Sequence, residues 1–451
     1  MGESQVRWES KTDWKMNCKN MEQEESNKPQ PTSVVGKKPN GKSQMKQQII
    51  PTALIFMTAT VLSANNIHAA NFGDDVAFLK NHTSVIVLSD KKGDAKVALA
   101  PAWQGRVMTS SADGDAGHSF GWINRDFISA GKIVPHMNTF GGEDRFWMGP
   151  EGGQFSIFFA PGAKFEFANW FTPAIFDTLP FNVLEQEPTR AVFGAEFGLT
   201  NYSGTKFKVA VNREVQLTDA AAAWKELGLE PDKNVNIVAY ASHNKITNKG
   251  EEAWKKETGL LSVWILGQYN PSPSCTIVVP IKSGSDSELG KKVTSDYFGE
   301  VPPDRLVVGD NVIFLSADGK YRSKIGVSPR RSKSVLGSYD ADSKVLTIVQ
   351  FNRPEGVTDY VNSLWKLQDN PYGGDAENSY NDGPPAPGVK PMGPFYEIES
   401  SSPAAALAPG QSLIHIHRTF HLSGPEPALD KVAQATLGVS LDQIKAAFHK
   451  P

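Results

Sequence analysis

Between Lys206 and Leu217 the chain alternates without a break. Phe207, Val209, Val211, Arg213, Val215 and Leu217 fall on one side, with Lys208, Ala210, Asn212, Glu214 and Gln216 between them. A period of two sustained over that length fits an extended strand with one buried face. Arg190–Leu199 reads as its hairpin partner across a turn at Asn201–Gly204. Short strand patterns recur at Ser84–Leu88, Ala95–Ala100, Gln104–Ser110, Val235–His243, Leu260–Gly267 and Cys275–Pro280, then at Asn311–Leu315, Ser323–Ser328, Ser334–Tyr339, Val345–Phe351, Phe395–Ser400 and Ser412–Leu422. Residues 155–159 read as a further buried strand. Glycines (39) and prolines (30) punctuate these runs as turn formers. Helices are expected only as insertions: at Val76–Leu79 capped by an Asp, at Thr218–Leu227 capped by Thr218, at Asp359–Leu367, and at Pro427–Lys450 with Ser440 capping the last turn. No internal repeat of fixed period is visible. The expected fold class is all-β, a large antiparallel β-sandwich with short helical insertions and a helical C-terminal tail.

The expected organisation has four parts. Residues 1–44 are polar and aperiodic, a signature of disorder or of a mis-assigned start. Residues 45–70 have the layout of a signal peptide: a short basic start, the apolar run Pro51–Leu62, and small residues ending at Ala69-Ala70. That run is short for a membrane span, so no stable span is expected after cleavage. A short N-terminal membrane anchor is the rival reading. Residues 71–422 form the sandwich, and residues 423–451 the tail. The expected location is periplasmic or secreted.

With 46 basic and 49 acidic residues the net charge is −3, which gives no broad surface for nucleic acid. The two cysteines, Cys18 and Cys275, make no disulfide framework or metal-cluster spacing. Cys275 sits in the apolar run Cys-Thr-Ile-Val-Val and reads as a buried structural thiol.

Three constellations carry candidate chemistry. The first is His136–Gly153, HMNTFGGEDRFWMGPEGG, where glycine pairs frame charged and aromatic side chains. His136, Asn138, Glu143, Arg145 and Trp147 are its candidate ligand-binding residues, the guanidinium offering several donors and the indole a flat face for a sugar ring. Glu143 and Glu151 also qualify as acid, base or metal ligand. The second is the loop Asn370–Pro384, NPYGGDAENSYNDGP. Asn381 and Asp382 are candidate binding residues there, and Asp375, Asn378, Asn381 and Asp382 are oxygen donors of the calcium-binding kind, though not at EF-hand spacing. The third is near the C-terminus. Alternation puts Glu397 and Glu399 on one strand face, and His415, His417, Thr419 and His421 on one face of the next. Glu397 and Glu399 are the candidate catalytic carboxylates. The histidines suit either a divalent metal or a solvated outer face of the sandwich, so no metal is assigned and the cofactor is unknown. Arg213, a charge on an apolar face, has two readings: pairing with a buried carboxylate, or pointing into a pocket as a binding residue. A Rossmann G-x-G-x-x-G fingerprint and H-E-x-x-H are absent from the sequence.

The stretches FGGEDRFWMGPEGGQFSIFF, ITNKGEEAW, LWKLQDNPYGGDAENSYNDGP and FYEIESSSPAAALAPGQSLIHIHRTFHL resemble an uncharacterised family of secreted bacterial proteins, a domain of unknown function. The resemblance spans about Asp74 to Leu422. That family is similar in architecture to galactose mutarotase-like proteins, which implies a β-supersandwich with a sugar-binding concave face. It further implies that Glu397 or Glu399 fills the base role of an aldose 1-epimerase. The family's mid-chain catalytic histidine has no counterpart in the matching context, where the chain reads Leu261-Ser262-Val263-Trp264. The expected function is therefore a carbohydrate-directed protein with a mutarotase-like cleft, either a sugar epimerase or glycan-processing enzyme, or a non-catalytic carbohydrate-binding envelope protein. A carbohydrate ligand is the expected partner.

Overall fold

The computed structural model describes residues 71–448. The expected leader and the segment before it lie outside those residues. Two large sheets dominate. One has ten strands, in the spatial order Leu306–Val308, Val312–Ser316, Cys275–Pro280, Val335–Asp340, Val345–Phe351, Ser412–Ser423, Asn236–Asn248, Lys206–Thr218, Arg190–Thr200 and Asn182–Glu187. The other has five: Ser323–Val327, Glu377–Asn381, Tyr396–Ser401, Ser262–Tyr269 and Arg145–Gly149. A third sheet joins Ile86–Ser89, Lys96–Ala100 and Arg106–Ser111. Every pairing within the three sheets is antiparallel. The class is thus the expected all-β antiparallel sandwich with short helical insertions.

Alternation assigns the faces. From the ten-stranded sheet, Val209, Val211, Val215, Tyr240 and Ile246 meet Phe146, Met148, Val263 and Ile265 of the five-stranded sheet in one buried cluster. Toward the other end, Ile277, Val279, Leu336 and Val349 meet Ile325, Tyr396 and Ile398. The opposite face of the large sheet is also apolar. Ala239, Leu346, Ile348, Phe420 and Leu422 are covered there by Leu429, Val432, Leu437, Leu441 and Ile444 of the helices Glu426–Leu437 and Leu441–Ala446. Each such fully buried side chain contributes about 2 kcal/mol relative to exposure. The last helix carries a capping box between Ser440 and Gln443. Among the described residues no helix is long and apolar enough to cross a membrane.

Several local expectations give way. The first helix runs Phe72–Lys80 and is capped by Asn71, whose side chain accepts from the Asp74 N–H. The helix Ala220–Glu226 is capped by Asp219, one residue beyond the expected Thr218. Residues 359–367 form no helix. Asn362 Oδ1 accepts from the Leu364 N–H, and Gln368 Nε2 donates to the carbonyls of Asn362 and Leu364, so side chains satisfy the backbone in place of a helical ladder. Residues 155–159 are likewise not a strand. There Ser156 Oγ accepts from the Phe158 N–H at 3.0 Å, and only a bridge from Phe159 to Trp170 remains.

Candidate functional site

The strand Arg145–Gly149 closes one edge of the five-stranded sheet. Phe146 and Met148 point into the sandwich, so Arg145 and Trp147 point away from it. The register places Arg145 opposite Leu266 and Trp147 opposite Trp264, Glu397 opposite Gln268 and Tyr380, and Lys324 opposite Tyr380. One outer sheet face therefore carries an indole pair, two basic groups and, on the central strand, Glu397 and Glu399. Two glycines make the approach to Arg145 possible. Gly141 and Gly142 have φ of +98° and +112°. A Cβ on Gly141 would lie 2.2 Å from the Trp122 carbonyl oxygen, which excludes any side chain there.

Over this face lies a cleft of about 300 Å³. Its floor is Arg145, Trp147, Trp264, Lys324, Tyr380 and Glu397, and its walls include His136, Glu151, Phe167, Trp170, Phe298 and Trp365. The aromatic wall is continuous. Trp147 meets Trp264 edge-on with centroids 5.6 Å apart, and Trp170 stacks on Trp365 at 5.9 Å and on Phe158 at 5.8 Å. An adjoining lobe of about 490 Å³ shares Glu151, Phe298, Arg322, Lys324 and Trp365 and adds Asp382 and Lys390.

The charges on the floor are paired. Arg145 Nη2 donates to Glu397 Oε1 at 2.5 Å. Lys324 Nζ donates to Glu399 Oε2 at 3.1 Å, which also accepts from Trp264 Nε1 at 2.8 Å. Burial pushes the Glu397 carboxyl up to about 7, against the pull of Arg145 and with the help of Glu399. Burial also raises Glu151 above the ordinary carboxylate range. For Lys324, burial works against the charged form, but Glu399, Glu151 and Glu397 outweigh it and hold the ammonium above its usual value. His136 Nδ1 donates to the Trp170 carbonyl at 2.6 Å, so Nδ1 carries a proton. Several buried donors have no partner within the described residues: Arg145 Nε, Trp147 Nε1 and Trp170 Nε1. Buried donors without acceptors are costly.

Of the residues singled out from sequence, His136, Arg145, Trp147, Glu151 and Glu397 line this cleft, and Asp382 lines its outer lobe. Glu399 is fully buried beneath it, holding Lys324. The others lie elsewhere. Glu143 sits between the sheets, accepting from Ser110 Oγ, Tyr240 OH and His421 Nε2. Arg213 is fully buried and paired with Asp144 at 2.6 Å and Asn244 at 2.5 Å, the first of its two readings. Asn138 braces Asp177 at 2.6 Å. Asn381 holds the Gly319 N–H and the Tyr321 carbonyl. In the same loop Asp375 is spent on Tyr297 OH at 2.6 Å, and Asn378 on Tyr297 and the Ile325 carbonyl. His415, His417 and His421 are not on a solvated face: all are fully buried between the sheets, where Ser400 Oγ bridges His415 Nε2 and His417 Nδ1 at 2.8 Å each. Burial lowers His415 to about 3 and His417 to about 4, so both are neutral near pH 7. Among the described residues no group of three or more His, Cys, Asp or Glu is arranged to hold a metal ion. Cys275 is buried, and its thiol is pushed well up by desolvation.

Sequence reasoning missed Lys324, Tyr380, Trp170, Trp264 and Trp365 as cleft residues. The one available signal was Lys324, a basic residue alternating with Ser323 and Ile325 in a short apolar strand.

Fold and site together define an antiparallel β-sandwich protein with an aromatic, charge-paired cleft on the outer face of its smaller sheet. The chain matches the model of a family described as "Family of unknown function (DUF6786)" over residues 70–448, and it belongs to that family. The match runs past the expected Leu422 through the C-terminal helices. No curated protein matches it by sequence. Among solved structures it is similar to a protein of Synechocystis sp. PCC 6803 at 12% identity and TM-score 0.45, covering 76% of this chain and 96% of that one. It is also similar to a galactose mutarotase-like protein from Lactobacillus casei at 12% identity and TM-score 0.42, covering 75% and 100%. A third is a galactose mutarotase related enzyme from Lactobacillus acidophilus, at 10% identity and TM-score 0.41, covering 76% and 97%.

Proposed function

We propose that this chain is an exported, periplasmic or secreted, carbohydrate-directed protein whose cleft holds a sugar ring against Trp147. The observation that supports this most is the grouping of an indole-lined wall with unpartnered buried donors, Arg145 Nε, Trp147 Nε1 and Trp170 Nε1. Aromatic faces take the C–H face of a pyranose, and the donors take its hydroxyls. In the catalytic form of this reading, Glu397 is the base. Its carboxyl lies in the cleft with a proton affinity near neutral pH, the range in which general acid–base groups work best. His136 and Glu151 are further titratable groups on the same cleft, neither of them in a salt bridge. A sugar epimerase needs one group at the anomeric hydroxyl and one at the ring oxygen.

The second reading is a non-catalytic sugar-binding protein. The direct Arg145–Glu397 contact favours it, because a base committed to a guanidinium at 2.5 Å is a weak proton acceptor until substrate displaces that partner.

Optical rotation of freshly dissolved α-glucose and α-galactose, with and without purified protein, separates the two. Faster mutarotation supports the epimerase form. Quenching of tryptophan fluorescence by sugars without acceleration supports the binding form, and neither effect across common aldoses and glycans rejects the cleft as a sugar site. N-terminal sequencing of the protein from cell fractions tests export: a start near Asn71 in the periplasm or medium is expected.

A further inference from the structure

The two lobes of the cleft are not alike in charge. On the floor of the inner lobe Arg145 is paired with Glu397 and Lys324 with Glu399. Arg322, which borders both lobes, has no carboxylate within salt-bridge distance among the described residues, and neither has Lys390 of the outer lobe. The carboxyls there do not compensate. Asp382 is occupied by Tyr380 OH at 2.7 Å and the Gly393 N–H at 2.9 Å, and neither it nor Glu151 lies within salt-bridge distance of Arg322 or Lys390 among the described residues. Arg322 is also positioned. It precedes the strand Ser323–Val327 by one residue and lies on the cleft side with Lys324, its guanidinium 3.8 Å over the Phe298 ring. A guanidinium laid flat on an aromatic ring keeps its N–H edge available for a bidentate acceptor.

The rim adds a second observation. Phe167, Phe298, Val389 and Met392 are 59%, 44%, 50% and 39% exposed, and all face the outer lobe. Apolar side chains gathered at the mouth of a cleft mark a surface that a ligand covers. Phe167, Phe298 and Met392 border both lobes, and Val389 lies in the outer lobe alone, beyond a single ring seated on Trp147.

We infer that the cleft takes a saccharide of more than one ring, and that its outer lobe holds an anionic substituent, a carboxylate or sulfate ester, against Arg322. This rests on the reading of the cleft as a sugar site and names its substrate class. The inner lobe takes a neutral ring among paired charges, and the next ring lies over Phe298 with its acid group at the guanidinium.

A glycan array of neutral, uronate-bearing and sulfated oligosaccharides tests it, followed by calorimetry on the best binder, its neutral analogue of equal length and its isolated acidic ring. The best binder should be anionic and about tenfold or more tighter than its neutral analogue. Its affinity should fall as salt is raised. Arg322→Gln should erase the preference, so that anionic binder and neutral analogue bind the variant alike, and Arg322→Lys should retain part of it. The uronate and sulfate arms decide which acid group is used. A neutral best binder, or a preference that survives Arg322→Gln, overturns the anionic assignment and leaves the sugar cleft standing. An isolated acidic ring that binds as tightly as the oligosaccharide overturns the multi-ring assignment. Absence of binding to every glycan overturns this inference and the sugar-cleft reading together.

Discussion

Arg145 reaches across one whole strand to Glu397, a residue 252 positions later, and donates from Nη2 at 2.5 Å. The strand between them, Ser262–Tyr269, pairs with both. The crossing spans roughly 10 Å of sheet at the usual interstrand spacing, a distance that an extended arginine covers. The pair holds the floor of the cleft together at its centre, which makes Glu397 the position where structure and chemistry meet most closely.

Glu397→Gln should abolish any acceleration of mutarotation and leave sugar affinity within about threefold, since the amide keeps the shape and a hydrogen bond to Arg145. Polarimetry and fluorescence titration on the same preparation read both. Equal loss of binding and activity would move Glu397 from proton transfer to ligand holding.

Trp147→Ala should weaken sugar binding by more than about tenfold and cost roughly 3–5 kcal/mol of stability. Trp147→Phe keeps the fold and a smaller face, so its affinity should fall between the two. Unchanged affinity in a folded Trp147→Phe variant would place the sugar elsewhere.

Arg213→Met should destabilise the protein by about 3–5 kcal/mol in urea unfolding, because Asp144 is left charged and unpaired in the core. Below the unfolding transition its sugar affinity should equal that of the parent. A specific loss of affinity would bring back the pocket reading of this arginine.

Glu377 is fully buried, and desolvation pushes its carboxyl up to about 8. Its folded value lies above the unfolded one, so its favourable contribution is complete below about pH 4.5 and is lost as pH rises toward 8. Glu377→Gln should therefore stabilise the protein most at pH 8, by an amount on the order of a few kcal/mol, and least at pH 4. Thermal unfolding of both proteins across that range checks the sign. A difference that shrinks with rising pH would refute it.

Much of the fold could be read from the chain because period-two patterns report the presence of a strand and the existence of two unlike faces. The Lys206–Thr218 hairpin with Arg190–Thr200 is of this kind. So is the pairing of His415, His417, Thr419 and His421 on one face. What period two leaves open is which face is interior when both are covered. In Ser412–Ser423 the histidine face meets the second sheet while Phe420 and Leu422 meet the C-terminal helices. The polar face is therefore the inner one, contrary to the expectation of a solvated surface.

The candidate site divides in the same way. The glycine-framed stretch was conspicuous because Gly141 and Gly142 occupy backbone that other residues rarely adopt, a local property that sequence carries directly. Within it, neighbouring side chains part ways. Arg145 and Trp147 face the cleft, while Glu143 and Asp144 are drawn inward to His421 and Arg213. Those partners lie far along the chain, and no local rule reports them. The sequence alone determined the strands of clear period two, though not Arg145–Gly149 or Glu377–Asn381, which read as loops, and it determined the sharp turns and the residue types able to bind a sugar. Only the tertiary structure decided which charges neutralise one another in the core and which remain at a cleft, because ion pairing depends on distance in space and strand order sets that distance.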